Sequence, residues 1–111
     1  MPGAWISFKG PEVRVASISP RVFRAIADAA VVYGNHECNL IVTSLNDGEH
    51  RKNSLHYSGR AVDLRTHNVP AALRPVIAAE LREVLGSGFD VVHEKAGTPN
   101  EHIHVEWDPK P

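Results

Sequence analysis

The 111-residue chain reads as an α+β domain in which two helices pack on a largely antiparallel sheet. Two stretches carry apolar residues at helical spacing, one over residues 20–33 and one beginning near Val69-Pro70, and they alternate with short runs of branched apolar residues. The last third holds two strand-like runs, Phe89–Glu94 and His102–Trp107, on either side of Gly97-Thr98-Pro99-Asn100, which is a hairpin pattern. The resulting order is strand, helix, strand, long loop, strand, helix, hairpin, as expected of an α+β domain.

The first predicted strand covers residues 13–18, where polar and apolar residues alternate. Ser19-Pro20 then supplies a cap and a first helical residue. The helix is expected over residues 20–33 with Phe23, Ile26, Ala27 and Ala30 as its buried stripe, and Gly34-Asn35 ends it. Residues 39–44 read as a buried strand. Residues 45–60 are polar and form a long loop, a feature that in small domains usually carries function. In Ala61–Arg65 the alternation turns Val62 and Leu64 one way and Ala61, Asp63 and Arg65 the other. The second helix begins near Val69-Pro70 with Asn68 as cap. Its expected apolar stripe is Leu73, Val76, Ile77, Leu81, Val84 and Leu85, and Gly86 and Gly88 stop it.

Composition narrows the function. A chain of this length is expected to be one domain, residues 1–111, and a monomer. Its hydrophobic content of 42%, charged content of 23% and net charge of -1 are those of an ordinary soluble protein, and they exclude general attraction to nucleic acid or to an anionic membrane. No run is long enough to span a bilayer, and Met1 to Lys9 lack the apolar core of a signal peptide. The chain is therefore expected to be made and kept in the cytoplasm. An extracellular substrate would require delivery by lysis, a holin or a larger particle. The single cysteine, Cys38, is expected to be a small buried residue. The 7 histidines raise the prior for a metal site.

Two segments carry the chemistry. Ser54-Leu55-His56-Tyr57-Ser58-Gly59-Arg60-Ala61-Val62-Asp63 sets a histidine 7 residues before an aspartate across a glycine. His102-Ile103-His104 sets two imidazoles on one side of a strand, with Glu106 on the same face. Two imidazoles and a carboxylate leave a coordination position free for water, which is the pattern of catalytic zinc. A water activated there needs a base, and two glutamates qualify. Glu94 ends the strand paired with the His102 strand, and Glu101 stands 3 residues before His104. Glu94 ranks slightly ahead, because the turn after it can vary in length without displacing it from its strand. Ser54 and His102 are candidate hydrogen-bond donors to substrate, and His50 and Arg51 are candidates to meet a substrate carboxylate. His36, His67 and His93 read as surface or structural histidines, and Trp107 reads as an anchor at its strand end.

The pattern Ser54-x-His56-x-x-Gly59-x-Ala61-x-Asp63 with His102-x-His104 resembles the signature of the zinc D-alanyl-D-alanine carboxypeptidase family. That family includes the peptidoglycan L-alanyl-D-glutamate endopeptidases of phage endolysins, and the zinc-binding core of Hedgehog signalling domains is similar. Val42-Thr43-Ser44, Asp47-Gly48-x-His50 and Phe89-Asp90-Val91-Val92 also look like its small phage and bacterial members. The resemblance implies a Hedgehog/DD-peptidase-like fold, one zinc ion held by His56, Asp63 and His104, and a glutamate upstream of the histidine pair as base. The implied activity is hydrolysis of peptidoglycan stem peptides, with that peptide as partner. Two alternatives stand beside it, a non-catalytic module braced by zinc and a phage tail or virion-assembly component.

Overall fold

The computed structural model describes residues 6–10, 19–45 and 60–109. The strand expected at 13–18 and loop residues 46–59 lie outside the described residues. The elements in chain order are β1 (Ile6–Phe8), α1 (Pro20–Asn35), β2 (Leu40–Ser44), β3 (Ala61–Arg65), α2 (Arg74–Leu85), β4 (Phe89–Glu94) and β5 (His102–Trp107). They form a five-stranded sheet of order β1-β2-β3-β5-β4. β1 runs parallel to β2, and every other pairing is antiparallel. The sheet is thus mixed and mostly antiparallel. β1 is a strand the sequence reading missed, because three residues give too short a pattern to score.

α1 starts where Ser19, in extended conformation, accepts a hydrogen bond from the Arg21 amide at 3.1 Å, with Pro20 supplying the preset φ of a first helical residue. It ends later than expected. Gly34 stays helical and buried, and Glu37 makes the left-handed turn at φ 59. The buried stripe is also rotated from the expected one. Val22, Ala25, Ile26, Ala29, Ala30, Val32 and Tyr33 face the core, whereas Phe23 is 65% exposed and Ala27 is exposed. Val22 is fully buried in the core that the helix shares with the sheet.

α2 begins at Arg74, after a 3-10 turn over Ala71–Leu73. Asn68 does not cap it, since its amide donates to the Asn39 carbonyl at 2.8 Å and ties the two loops together. Ile77, Ala78 and Leu81 are buried, while Val76 and Val84 point outward, contrary to the expected stripe. Gly86 ends the helix at φ 83, a conformation that costs glycine nothing sterically. Cys38 is half-buried rather than buried, and its thiol donates to the His36 carbonyl at 3.4 Å.

One core joins the helices to one sheet face. Val62 and Leu64 of β3, Ile103 and Val105 of β5 and Val91 of β4 pack with the buried sides of α1 and α2. Because side chains alternate along a strand, Asp63, His102, His104 and Glu106 are sent to the other face. Both ends of the β3–β5 ladder are clamped. At one end the Trp107 amide donates to the Arg60 carbonyl at 2.8 Å and Arg60 Nε donates to the Trp107 carbonyl at 3.1 Å. At the other, the Thr66 hydroxyl donates to the Glu101 carbonyl at 3.1 Å. Trp107 packs on Phe89 with ring centroids 5.0 Å apart, and the Arg21 guanidinium lies 4.4 Å over its ring. Tyr33 donates its phenol proton to the Arg65 carbonyl at 2.9 Å, and its burial pushes the phenol pKa well up. Among the described residues no helix is long and apolar enough to cross a membrane.

Candidate metal centre

The ladder register builds the site. Asp63 stands opposite His104, and Glu94 opposite His102. Directly opposed residues have Cβ atoms about 4.5–5.5 Å apart, so their side chains meet. His104 Nδ1 lies 2.8 Å from Asp63 Oδ1. His102 Nε2 lies 3.8 Å from the same oxygen and 3.4 Å from Glu94 Oε1, which is itself 3.8 Å from His104 Nδ1. A bulge in β2 breaks the register between Val42 and Ser44, and the Thr43 hydroxyl donates to the Asp63 carbonyl at 3.3 Å. Bulges recur beside functional sites because they redirect side chains in this way.

The ring nitrogens have distinct surroundings. His102 Nδ1 is 2.7 Å from the Asn100 carbonyl, which can only accept, so Nδ1 carries the proton and Nε2 faces Asp63 and Glu94. On the other histidine, Nε2 lies 3.5 Å from Glu106 Oε1. A metal-binding histidine usually turns its second nitrogen to a carboxylate or a carbonyl, and both imidazoles satisfy that rule. The nitrogen and oxygen donors on this face fit zinc. Asp63 Oδ1 and His104 Nδ1, 2.8 Å apart, stand close to the roughly 3.3 Å that separates adjacent ligands of a tetrahedral zinc ion.

Burial acts to lower the His104 pKa. The Asp63 hydrogen bond and the negative charges of Asp63, Glu106 and Glu94 outweigh it, and the imidazole is held above its ordinary value. The sign for the metal-free protein follows from linkage. The stabilisation is fully present below the unfolded histidine pKa of about 6.5 and is lost as pH rises through the raised folded value. Calorimetric melting of chelator-treated protein should therefore show stability falling across that window, and Asp63→Asn should flatten the fall.

Glu101 has different company. It is only 6% exposed, and its carboxylate accepts from Arg74 at 2.6 Å, meets His93 at 2.6 Å and accepts weakly from the Gly97 amide at 3.4 Å. The His93 hydrogen bond, helped by Gly97 and Arg74 and opposed by burial, holds its pKa below the usual carboxylate range. It braces the β4–β5 turn against α2. His36 pairs with Glu80 at 2.9 Å, and His67 Nε2 donates to the Pro99 carbonyl at 2.9 Å. His56, Ser54, His50 and Arg51 lie outside the described residues.

Sequence reasoning missed one group. Asp90, Glu106 and Asp108 bring carboxylate oxygens within 4.8 Å of one another, a geometry that can hold a metal ion. The hairpin register, which sets Asp90 opposite Glu106, is the signal that could have found it. Oxygen donors alone suit magnesium or calcium rather than zinc.

No curated protein matches the chain. The family model for the Hedgehog amino-terminal signalling domain matches residues 26–106, a span that runs from within α1 into β5 and takes in Asp63, Glu94, His102, His104 and Glu106. The chain belongs to the Hedgehog amino-terminal signalling domain family.

Proposed function

We propose that the chain is a zinc-dependent peptidase acting on peptidoglycan stem peptides, of the D-alanyl-D-alanine carboxypeptidase or L-alanyl-D-glutamate endopeptidase type. The observation that carries this reading is the meeting of Asp63, His104, His102 and Glu94 on one sheet face. Hedgehog domains are related to zinc peptidases, which supports the same chemistry. His56, Asp63 and His104 would hold the ion. Zinc bound there supplies a Lewis acid that polarises the scissile carbonyl and makes an attacking water more acidic. Glu94 takes the proton from that water and delivers it to the leaving amine. It is preferred to Glu101 because Arg74 and His93 occupy the Glu101 carboxylate. Ser54 donates to the scissile carbonyl, His102 Nε2 accepts a hydrogen bond from the bound peptide, and His50 and Arg51 meet the substrate. The protein reaches the cell wall after synthesis in the cytoplasm, and a phage origin fits that route.

Purified peptidoglycan tests this directly. The zinc-loaded protein should release new amino groups from it, and a chelator should stop the release. A family match to a signalling domain favours a second reading, in which zinc braces a binding module. That reading predicts one bound zinc and no released amines.

A further inference from the structure

The β4–β5 turn is closed on itself. Thr98 donates from its amide and its hydroxyl to the Lys95 carbonyl, at 3.1 and 2.7 Å. The Asn100 amide donates to the Thr98 hydroxyl at 3.2 Å, and the Glu101 amide donates to the Thr98 carbonyl at 3.1 Å. Residues 95–101 therefore form one unit, and its placement against β5 is set from outside, by the connection between β3 and α2. The fully buried Thr66 donates its hydroxyl to the Glu101 carbonyl at 3.1 Å, and His67 Nε2 donates to the Pro99 carbonyl at 2.9 Å. Arg74 locks the connection to the turn. Its Nε donates to the Val69 carbonyl at 2.9 Å, and its Nη1 donates to Glu101 Oε1 at 2.6 Å. Pro99 and Glu101, on either side of Asn100, are thus both held from the same connection.

The Asn100 carbonyl between them lies 2.7 Å from His102 Nδ1. Two tautomers of that ring compete. A proton on Nδ1 goes to this carbonyl, whereas a proton on Nε2 faces Glu94 Oε1 at 3.4 Å and Asp63 Oδ1 at 3.8 Å. A carboxylate is the stronger acceptor at equal geometry, but contacts beyond about 3.2 Å are weak hydrogen bonds. The carbonyl therefore wins only while the turn keeps it close. The Nδ1–H tautomer leaves Nε2 as an acceptor and leaves the Glu94 carboxylate free. The Nε2–H tautomer removes the acceptor and ties up Glu94.

We infer that Arg74 is a positioning residue for the metal centre: gripping the β4–β5 turn through Glu101, it keeps the Asn100 carbonyl on His102 Nδ1 and so turns a bare Nε2 toward Asp63 and Glu94. The consequence for bound peptide and for Glu94 rests on the reading given under Proposed function, whereas the placement of the ring proton does not.

NMR of the full chain, labelled with nitrogen-15 in histidine and treated with chelator, reads the tautomer from the ring-nitrogen shifts at alkaline pH, where imidazoles are neutral. His102 should be mostly Nδ1–H in the wild type. Arg74→Gln should lower its ratio of Nδ1–H to Nε2–H by about fivefold or more, the worth of one weakened hydrogen bond. Arg74→Lys keeps a donor for Glu101 and should recover most of the ratio. Glu101→Gln leaves an oxygen for Arg74 to hold, so the ratio should move less there. Asn68→Ala removes the bond to the Asn39 carbonyl from the same connection, so it should cost stability and leave the ratio in place. Should Arg74→Gln fail to fold, Thr66→Val, which keeps the buried shape and removes only the hydroxyl donor, should shift the ratio in the same direction. In a chain that cleaves peptidoglycan, the Arg74→Gln shift should appear as a fall in kcat/KM of similar size. A chain that cleaves nothing would defeat the peptidase reading and leave the tautomer result legible. An unchanged ratio in folded Arg74→Gln, or in Thr66→Val where Arg74→Gln does not fold, would overturn the inference. An equal shift in Asn68→Ala, or a wild-type ring already in the Nε2–H form, would do the same.

Discussion

Glu94→Gln should lower the rate of peptide release from peptidoglycan by about 10²–10⁴-fold, the range a positioned general base supplies. Bound zinc should stay at the wild-type level. The Glu94 carboxylate is half-exposed, and its nearest partners are His102 Nε2 at 3.4 Å and His104 Nδ1 at 3.8 Å. The amide keeps the size and the hydrogen-bonding oxygen but cannot take a proton, so the loss should fall on the chemical step and not on folding. Glu101→Gln is the informative contrast. It disturbs the brace between Arg74, His93 and the β4–β5 turn, so it should lower the melting temperature while sparing most of the rate in protein that remains folded. A Glu94→Gln protein that cleaves at the wild-type rate would remove Glu94 from the mechanism.

If the proposed ligand set holds, Asp63→Asn and His104→Asn should each weaken zinc binding by more than the roughly 10–100-fold that loss of a supporting partner costs, because each would remove a direct ligand. Titration of chelator-stripped protein with zinc, followed by calorimetry or a competing chelator, measures the effect. Both residues lie on the face away from the helices, so the far-ultraviolet circular dichroism should not change. Asp90→Asn serves as the control for the acidic trio. If zinc affinity fell in Asp90→Asn and held in Asp63→Asn, the ion would belong among Asp90, Glu106 and Asp108 instead.

The hairpin was legible because its signals are local. Alternation fixes which side chains share a face, and the runs Phe89–Glu94 and His102–Trp107 match β4 and β5 at both ends. The same rule put Asp63 opposite Val62 and Leu64, which sends the acid away from the core. The helices were found, and part of their buried faces: Ile26, Ala30, Ile77 and Leu81 are buried as expected, whereas Phe23, Ala27, Val76 and Val84 are exposed. Phe23 and Ala27 fit a 3.6-residue period as well as Val22 and Ala29 do, and only the position of the sheet decides between them. β1 gains its stability from pairing with β2, a contact its three residues do not announce. The different surroundings of Glu94 and Glu101 were equally invisible, since Arg74 lies 27 residues before Glu101 in the chain. The acidic trio escaped for a related reason, because it depends on Asp108 joining a cross-strand pair. His56 was the most prominent histidine in the sequence pattern, and it lies outside the described residues.

The most direct test of the account is anomalous diffraction at the zinc edge from crystals of the zinc-loaded full chain. The prediction is one ion about 2.0–2.2 Å from Asp63, His104 and His56, with Glu94 beside the remaining coordination position. An ion found elsewhere, or no ion on this sheet face at saturating zinc, would contradict it.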